Sequence, residues 1–352
     1  MNILVDIGHP GHVHLFRIPI QNWSEHGHNV VVSIRERDIV GQLLKAYDIP
    51  YHVASTARYG VAGQFYELLE HDWQVLRLAR QHKSDVLLGT SVAAAHVSRI
   101  TATKSIIFNE DDDANVKLFA GLTYPFADAI VVPDFVIGQR TPRHVVYPSC
   151  QELAYLHPNH YRPDPSVLSE LGVQEGEPYF ILRLVALKAY HDVGQAGISP
   201  AMRRKLIDLL SQHGRVFITV EGVLPEELRQ YQIPMLPHRI HHAMNYARML
   251  IADSQTMTAE SAILGVPAIR CNTFVAKGVS LHDELEQKYG LTYGFVPSDE
   301  EKMFEKIQSL LAIPDLPGEW QRRRAVYLSD KIDAAAWITQ FVEEFGSRGH
   351  TR

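Results

Sequence analysis

The side chains best suited to chemistry gather in three stretches of the chain. The first is Gly8-His9-Pro10-Gly11-His12-Val13-His14. Glycines there let the backbone approach a ligand, the helix that follows offers free N–H groups to an anion, and imidazoles titrate near neutral pH. The loop lacks the GxGxxG spacing, which argues against a nicotinamide or flavin dinucleotide. His12 is the candidate general base, with His9 and His14 as alternates. A tight turn whose histidines only cap the helix is the structural alternative. A divalent ion held by His9, His12 and His14 with Asp6 or the Asp111-Asp112-Asp113 run is another. No HExxH spacing is present, and no metal is expected.

The second stretch runs from Asp253 through Ser254, Gln255, Thr256 and Glu260 to Gly265-Val266-Pro267. It follows an apolar run, opens a helix with hydroxyl-bearing residues and closes it with glycine. A capping box would need Ser or Thr three residues before Glu260, where Met257 stands. Glu260 therefore suits a ribose diol, while Ser254, Gln255, Thr256 and the helix end suit a diphosphate. A solvated helix glutamate is the alternative. The third stretch carries Arg183 inside an apolar strand, followed by Lys188, His191 and Asp192. A buried arginine needs a partner, and either a diphosphate or an internal salt bridge would serve. The run His238-Arg239-Ile240-His241-His242 adds His238 as a candidate for base or phosphate, or else forms an exposed turn. The run Glu110-Asp111-Asp112-Asp113 would cap the next helix. Gly8, Gly11, Ser91 and Asp111 are assigned to the loops on the acceptor side.

Positioning these residues takes repeated βα units around parallel sheets. Apolar runs predict strands near 2–7, 29–34, 50–54, 85–89, 104–108 and 128–132, with helices over 12–26, interrupted by Pro19, and 61–82. The rhythm fails between Tyr147 and Pro178, where Pro148, Pro158, Pro163 and Pro165 crowd together. A second series follows at 179–187, 216–220, 249–252 and 267–270. The reading is a domain over 1–147, a linker over 148–178, a second domain over 179–330 and a terminal helix within 331–352 that packs on either. Two such sheets are expected to form a cleft between their carboxyl ends, where ligands of open α/β sheets bind.

Composition narrows the function classes. The chain has 352 residues, enough for about two domains at roughly 150 residues each. Its formal charge of −6 and pI near 6.3 are the wrong sign for gripping nucleic acid through the overall field. Hydrophobic content of 46% and mean hydropathy of −0.12 describe a chain that folds unaided, not a disordered one. Cys150 and Cys271 are too few for a disulfide framework or a zinc site, which fits a reducing cytoplasm. The opening apolar run stops at Asp6, and no window approaches the ~18 residues of a membrane span. A cytoplasmic protein is expected, free in solution or at the inner face of the membrane.

Several motifs carry a family resemblance. DIGHPGHVH resembles the first loop of the GT-B glycosyltransferase that adds N-acetylglucosamine to the lipid-linked peptidoglycan precursor. DSQTMTAESAILGVPAI is similar to the nucleotide-sugar signature shared by that transferase and the UDP-N-acetylglucosamine 2-epimerases. DIGHPGHVH, ELAYLHP, AYHDVGQAG and DSQTMTAESAILGVPAIR, in this order, resemble the prokaryotic family known as domain of unknown function 354 over nearly the whole chain. Where that family pattern reads FDDTEHA, this chain has FNEDDDA at Phe108 to Ala114. The resemblance implies an α/β protein of GT-B architecture, with two Rossmann-like domains facing each other across a cleft. It also implies a glycosyltransferase that moves a sugar from a nucleotide diphosphate to the hydroxyl of a saccharide or lipid-linked acceptor in surface polysaccharide synthesis. No cofactor beyond the nucleotide-sugar is implied. The alternatives are a nucleotide-sugar epimerase or hydrolase, and a non-catalytic nucleotide-sugar-binding protein.

Overall fold

The computed structural model describes residues 1–37, 39–58, 60–185, 196–220 and 224–348. They divide into two compact units: Met1–Tyr161 together with the chain from Lys331 onward, and Arg162–Asp330. The first unit is built on seven strands: β1 (Asn2–Ile7), β2 (Asn29–Glu36), β3 (His52–Thr56), β4 (Val86–Gly89), β5 (Lys104–Phe108), β6 (Ala129–Pro133) and β7 (His144–Tyr147). All pair in parallel, in the order β3-β2-β1-β4-β5-β6-β7. The inner strands β4, β5 and β6 are buried at every position. Continuous apolar runs are what a parallel sheet covered on both faces requires.

The helix Pro10–Glu25 starts with proline at its first position, where a missing N–H costs nothing. It buries Leu15, Phe16, Ile20 and Trp23. Trp23 Nε1 donates to the Thr339 carbonyl at 3.2 Å and Asn22 Nδ2 to Thr339 Oγ1 at 3.0 Å, and Tyr147 stacks on Trp337 at 4.9 Å. The terminal helix Ala334–Ser347 is thereby fastened to the first unit. Residues 148–161, read from sequence as loose connection, also pack there. Leu153, Ala154, Tyr155 and Leu156 are buried, because the ELAYLHP segment forms a short helix with an apolar face.

Strand order reverses between β1 and β4, where Asp6 stands in register with Gly89. A Cβ at Gly89 would overlap the backbone carbonyl oxygen of Asp6, so only glycine lets the two strand ends approach. Backbone cannot give way as a flexible side chain does. Gly89→Ala is therefore expected to destabilise the first unit by about 1–3 kcal/mol, read as a lower urea midpoint by circular dichroism. An unchanged midpoint would mean that the strand ends can spread.

The second unit has five parallel strands: β8 (Tyr179–Leu184), β9 (Arg215–Val220), β10 (Met249–Ala252), β11 (Ala268–Cys271) and β12 (Thr292–Phe295). Their order is β12-β11-β10-β8-β9, so this sheet reverses between β8 and β10. Its core holds Phe180, Leu182, Ile251 and Ile269. Cys150 and Cys271 are both free and buried. Among the described residues, no helix is long and apolar enough to cross a membrane.

Candidate functional site

In open α/β sheets ligands bind beyond the strand ends where the order reverses. In the second unit that point gathers most of the residues singled out from sequence. Arg183 lies at the end of β8 in register with Ala252 on β10, and its Nη1 donates to Thr219 Oγ1 on β9 at 3.2 Å. Asp253, next after β10, accepts the Val185 N–H at 2.7 Å. Burial pushes its carboxyl up to about 6, against backbone hydrogen bonds and the nearby charge of Arg183. A Cβ at Gly197 would stand 2.7 Å from Asp253 Oδ2, which accounts for the last glycine of the AYHDVGQAG segment.

Ser254 caps the helix Gln255–Ile263, its Oγ accepting the Met257 N–H at 3.4 Å. Ser254, Gln255 and Thr256 are half-buried, whereas the helix is enclosed from Met257 onward. The accessible part of this helix is thus its first turn, with its free N–H groups. Gln255 Oε1 accepts from Arg270 Nη1 at 3.3 Å. Arg270 is fully enclosed on β11, and burial pulls its guanidinium down to about 10 despite Glu286 and Asp283. Arg183 is only half-buried, so Arg270 is the enclosed arginine of this sheet, and the sequence reading passed over it in the run PAIR.

Glu260 is not a solvated helix residue. It is 4% exposed, and the equally buried His241 donates from Nε2 to its Oε1 at 2.9 Å. The missing capping box therefore did not leave Glu260 without a structural partner. Nor is the 238–242 run simply an exposed turn. Arg239 binds Asp164 at 2.7 Å and Glu170 at 2.8 Å, and His242 Nδ1 accepts the Asp164 N–H at 3.0 Å. His238 is half-buried in the short turn Pro237–Arg239. Lys188, with His191 and Asp192, lies outside the described residues.

The first unit has its own reversal point, between β1 and β4. His9 caps the helix Pro10–Glu25 by accepting the Gly11 N–H at 3.1 Å, and Gly8 donates its N–H to His12 Nδ1 at 3.4 Å. The His9 and His12 rings lie 5.7 Å apart. Burial, reinforced by His9 and Arg37 and opposed by Asp6, pulls the His12 imidazole down to about 3, so it is neutral at any working pH. His14 does not join them. It is buried between Tyr155 and Tyr47, at ring separations of 5.0 and 5.9 Å.

Behind the loop is a network that sequence reading missed. Ser91 caps the helix Val92–Arg99 and donates to Asp6. Asp6 also accepts from Ser33 Oγ at 2.7 Å and from His71 Nε2 at 2.9 Å, and Ser55 Oγ meets His71 Nδ1 at 2.8 Å. Burial would raise the Asp6 carboxyl, but the His71 charge and the bonds from His71, Ser91 and Ser33 hold it below its usual value. Asp6 in turn raises His71 against burial. Each partner favours the charged form of the other, and the hydrogen bonds join β1, β2, β3, the start of the helix Val92–Arg99 and the helix Val61–Gln81.

Past β5, Glu110 is held by Tyr147 Oη, which donates to Oε1, and by the Gln151 N–H on Oε2 at 2.9 Å. Burial and the neighbouring Glu152 push its carboxyl up to about 8. Asp112 and Asp113 do not cap the next helix; their carboxylates accept the N–H groups of Ile137 and Gln139 at 2.7 and 2.9 Å. Asp111 is exposed. Among the described residues, no group of three or more His, Cys, Asp or Glu side chains is arranged to hold a metal ion.

Residues 1–284 match the family described as "Protein of unknown function (DUF354)", and the chain belongs to that family. No curated protein matches it. Among solved structures it is similar to the Staphylococcus aureus MnaA–UDP complex, at TM-score 0.69 and 12% identity over 98% of this chain and 96% of that one. The Streptomyces sp. SF2575 glycosyltransferase SsfS6 with thymidine diphosphate gives TM-score 0.64 and 15% identity, covering 98% and 99%. The UDP-GlcNAc 2-epimerase of Neisseria meningitidis bound to UDP-GlcNAc gives 0.65 and 12%, covering 98% and 100%. At these identities the likeness is one of fold. The chain has the fold of GT-B glycosyltransferases and UDP-N-acetylglucosamine 2-epimerases.

Proposed function

We propose that this family member is a glycosyltransferase that binds a nucleoside-diphosphate sugar in its second unit and passes the sugar to an acceptor hydroxyl. The observation that carries the reading is the reversal point of the second sheet. Arg183 and the accessible first turn at Ser254, Gln255 and Thr256 stand at that strand end, and Glu260 follows one turn into the same helix, where it is enclosed. A helix N-terminus and a guanidinium neutralise a departing diphosphate, which is the main electrostatic demand of transfer. No metal or further cofactor takes part in this scheme. The related structures crystallised with UDP, thymidine diphosphate or UDP-GlcNAc support the ligand class. On the first unit, His12 offers the acceptor proton the lone pair of a neutral imidazole, although one held at about 3 is a far weaker base than the near-neutral imidazole expected from sequence. The 3.4 Å bond from Gly8 is long enough to give up at little cost.

Calorimetry across nucleoside diphosphates and their sugars, run in chelator, tests the reading. Arg183→Ala is expected to weaken the bound nucleoside diphosphate at least tenfold and the bare nucleoside less than twofold, because the guanidinium is assigned to phosphate oxygens. Equal losses would make Arg183 structural, and binding restored only by added magnesium would overturn the metal-free scheme. Glu110 favours a second reading, a nucleotide-sugar epimerase or hydrolase. A carboxyl that keeps its proton near pH 8 is suited to donating it to a sugar carbon or a leaving oxygen. Product analysis with UDP-GlcNAc alone separates the two, since only the second reading turns it over without an acceptor.

A further inference from the structure

The helix Val61–Gln81 buries Glu67, Val75, Leu76, Leu78 and Ala79 against the first unit. Beside the buried face it carries an exposed apolar stripe at intervals of four: Val61 is 83% exposed, Phe65 64%, Leu69 54% and Trp73 64%, with Tyr66 beside them at 57%. Four-residue spacing lines side chains up along one side of a helix. Taking ~150–250 Å² for each aromatic side chain, these exposed fractions amount to roughly 600 Å² of apolar surface, at the upper limit of what a monomer leaves in water.

The charges nearby are already satisfied within the unit. Glu67 is paired with Arg35, Glu70 with Arg58 and Asp72 with His96, while the Arg58 guanidinium lies over the Tyr66 ring at 4.5 Å. Among the exposed positions on this helix the first charge after Val61 is Arg77, Glu70 being half-buried against Arg58. A surface rich in aromatic residues and poor in charge has the composition of an interface core. The stripe is also self-complementary. Turned antiparallel about its midpoint, Val61 of one copy meets Trp73 of the other and Phe65 meets Leu69, a smaller aliphatic against an aromatic ring in every pair. Arg77 then falls beyond the contact. With the exposed Ala62 and Gln64 at its rim, the face comes close to the ~800 Å² per partner of a standard interface.

We propose that this face is the interface of a two-fold homodimer in which the two copies of the helix Val61–Gln81 pack antiparallel. A convex ridge offers no groove to a peptide, and the only exposed basic residues on the helix, Arg77 and Arg80, lie at one end, which is a poor match to an anionic lipid surface.

Sedimentation equilibrium of the full chain should give twice its 39.8 kDa. Leu69→Glu puts an unpaired carboxylate against Phe65 of the second copy, so it should raise the dimer dissociation constant at least 100-fold with an unchanged circular dichroism spectrum. Arg77→Glu should leave the dimer intact. Under mild oxidation, a Val61→Cys/Trp73→Cys double variant should crosslink between copies, whereas Val61→Cys alone should not, since its two copies would be ~18 Å apart at 1.5 Å per residue. A wild-type chain that stays monomeric at 100 µM overturns the proposal, whether or not it sediments with phosphatidylglycerol vesicles. So does a Leu69→Glu variant that remains dimeric.

Discussion

His12→Ala is expected to leave nucleoside-diphosphate affinity within about twofold and to lower turnover by ~10² to 10⁴, the usual contribution of a positioned general base. The pH dependence sharpens the test. With its imidazole held at about 3, His12 is in the base form throughout the neutral range, so a rate that depends on it stays flat from pH 8 down to pH 5. Glu110, pushed up to about 8, behaves otherwise: it is an acid below pH 8 and a base above it. A rate that changes through pH 8 in the wild type, and loses that change in Glu110→Gln, would move proton transfer to Glu110 and favour the epimerase reading. Stability gives an independent check that Glu110 titrates there. Its carboxyl is raised in the folded state, so between about 4.5 and 8 the folded chain binds the extra proton and stability falls as pH rises. Glu110→Gln removes that loss and should unfold at higher urea than wild type at pH 9, with little difference at pH 4.

The inner parts of both sheets were legible because buried parallel strands are continuous apolar runs. IIF in β5 and AIVV in β6 can hardly be anything else. The two strands that escaped, β7 and β12, are edges. HVVY is mostly half-exposed, and TYGF carries a glycine in mid-strand, so neither shows the pattern of an enclosed strand. The strand-end residues of the second unit were readable because Arg183 and the Ser254–Glu260 stretch announce themselves locally, as a charge inside an apolar run and as hydroxyls opening a helix. What could not be read was pairing at a distance. Asp6 meets His71 65 residues away and Ser91 85 residues away, and Glu110 meets Gln151 41 residues on. No local spacing encodes such a meeting. The clue was weaker: an acid at the end of an apolar strand, in Asp6 and again in Glu110, has to be paired or protonated. The same gap explains Glu260, whose partner His241 lies on the preceding helix.

Glu260→Gln is expected to cost nucleoside-diphosphate affinity tenfold or more. Hydrogen bonds from ribose hydroxyls to a charged acceptor contribute about 1.5–3 kcal/mol, and 1.4 kcal/mol is a factor of ten. The buried contact with His241 decides which substitution can report this cleanly. Glutamine keeps an oxygen to accept the His241 N–H, so the ligand-free melting temperature should stay near that of wild type. Alanine leaves a buried imidazole donor unsatisfied, and Glu260→Ala should lose about 1–3 kcal/mol of stability whether or not the residue ever meets a ligand. The discriminating ligand is a 2′,3′-dideoxynucleoside diphosphate, which has no diol to offer. Wild type and Glu260→Gln should bind it about equally, both at the weakened level of the mutant with the full nucleotide. If Glu260→Gln instead loses the same factor for the dideoxy compound, the carboxylate acts through His241 by holding the helix Gln255–Ile263 in place. The diphosphate would then still belong to Ser254, Gln255 and Thr256, but the ribose would need another partner.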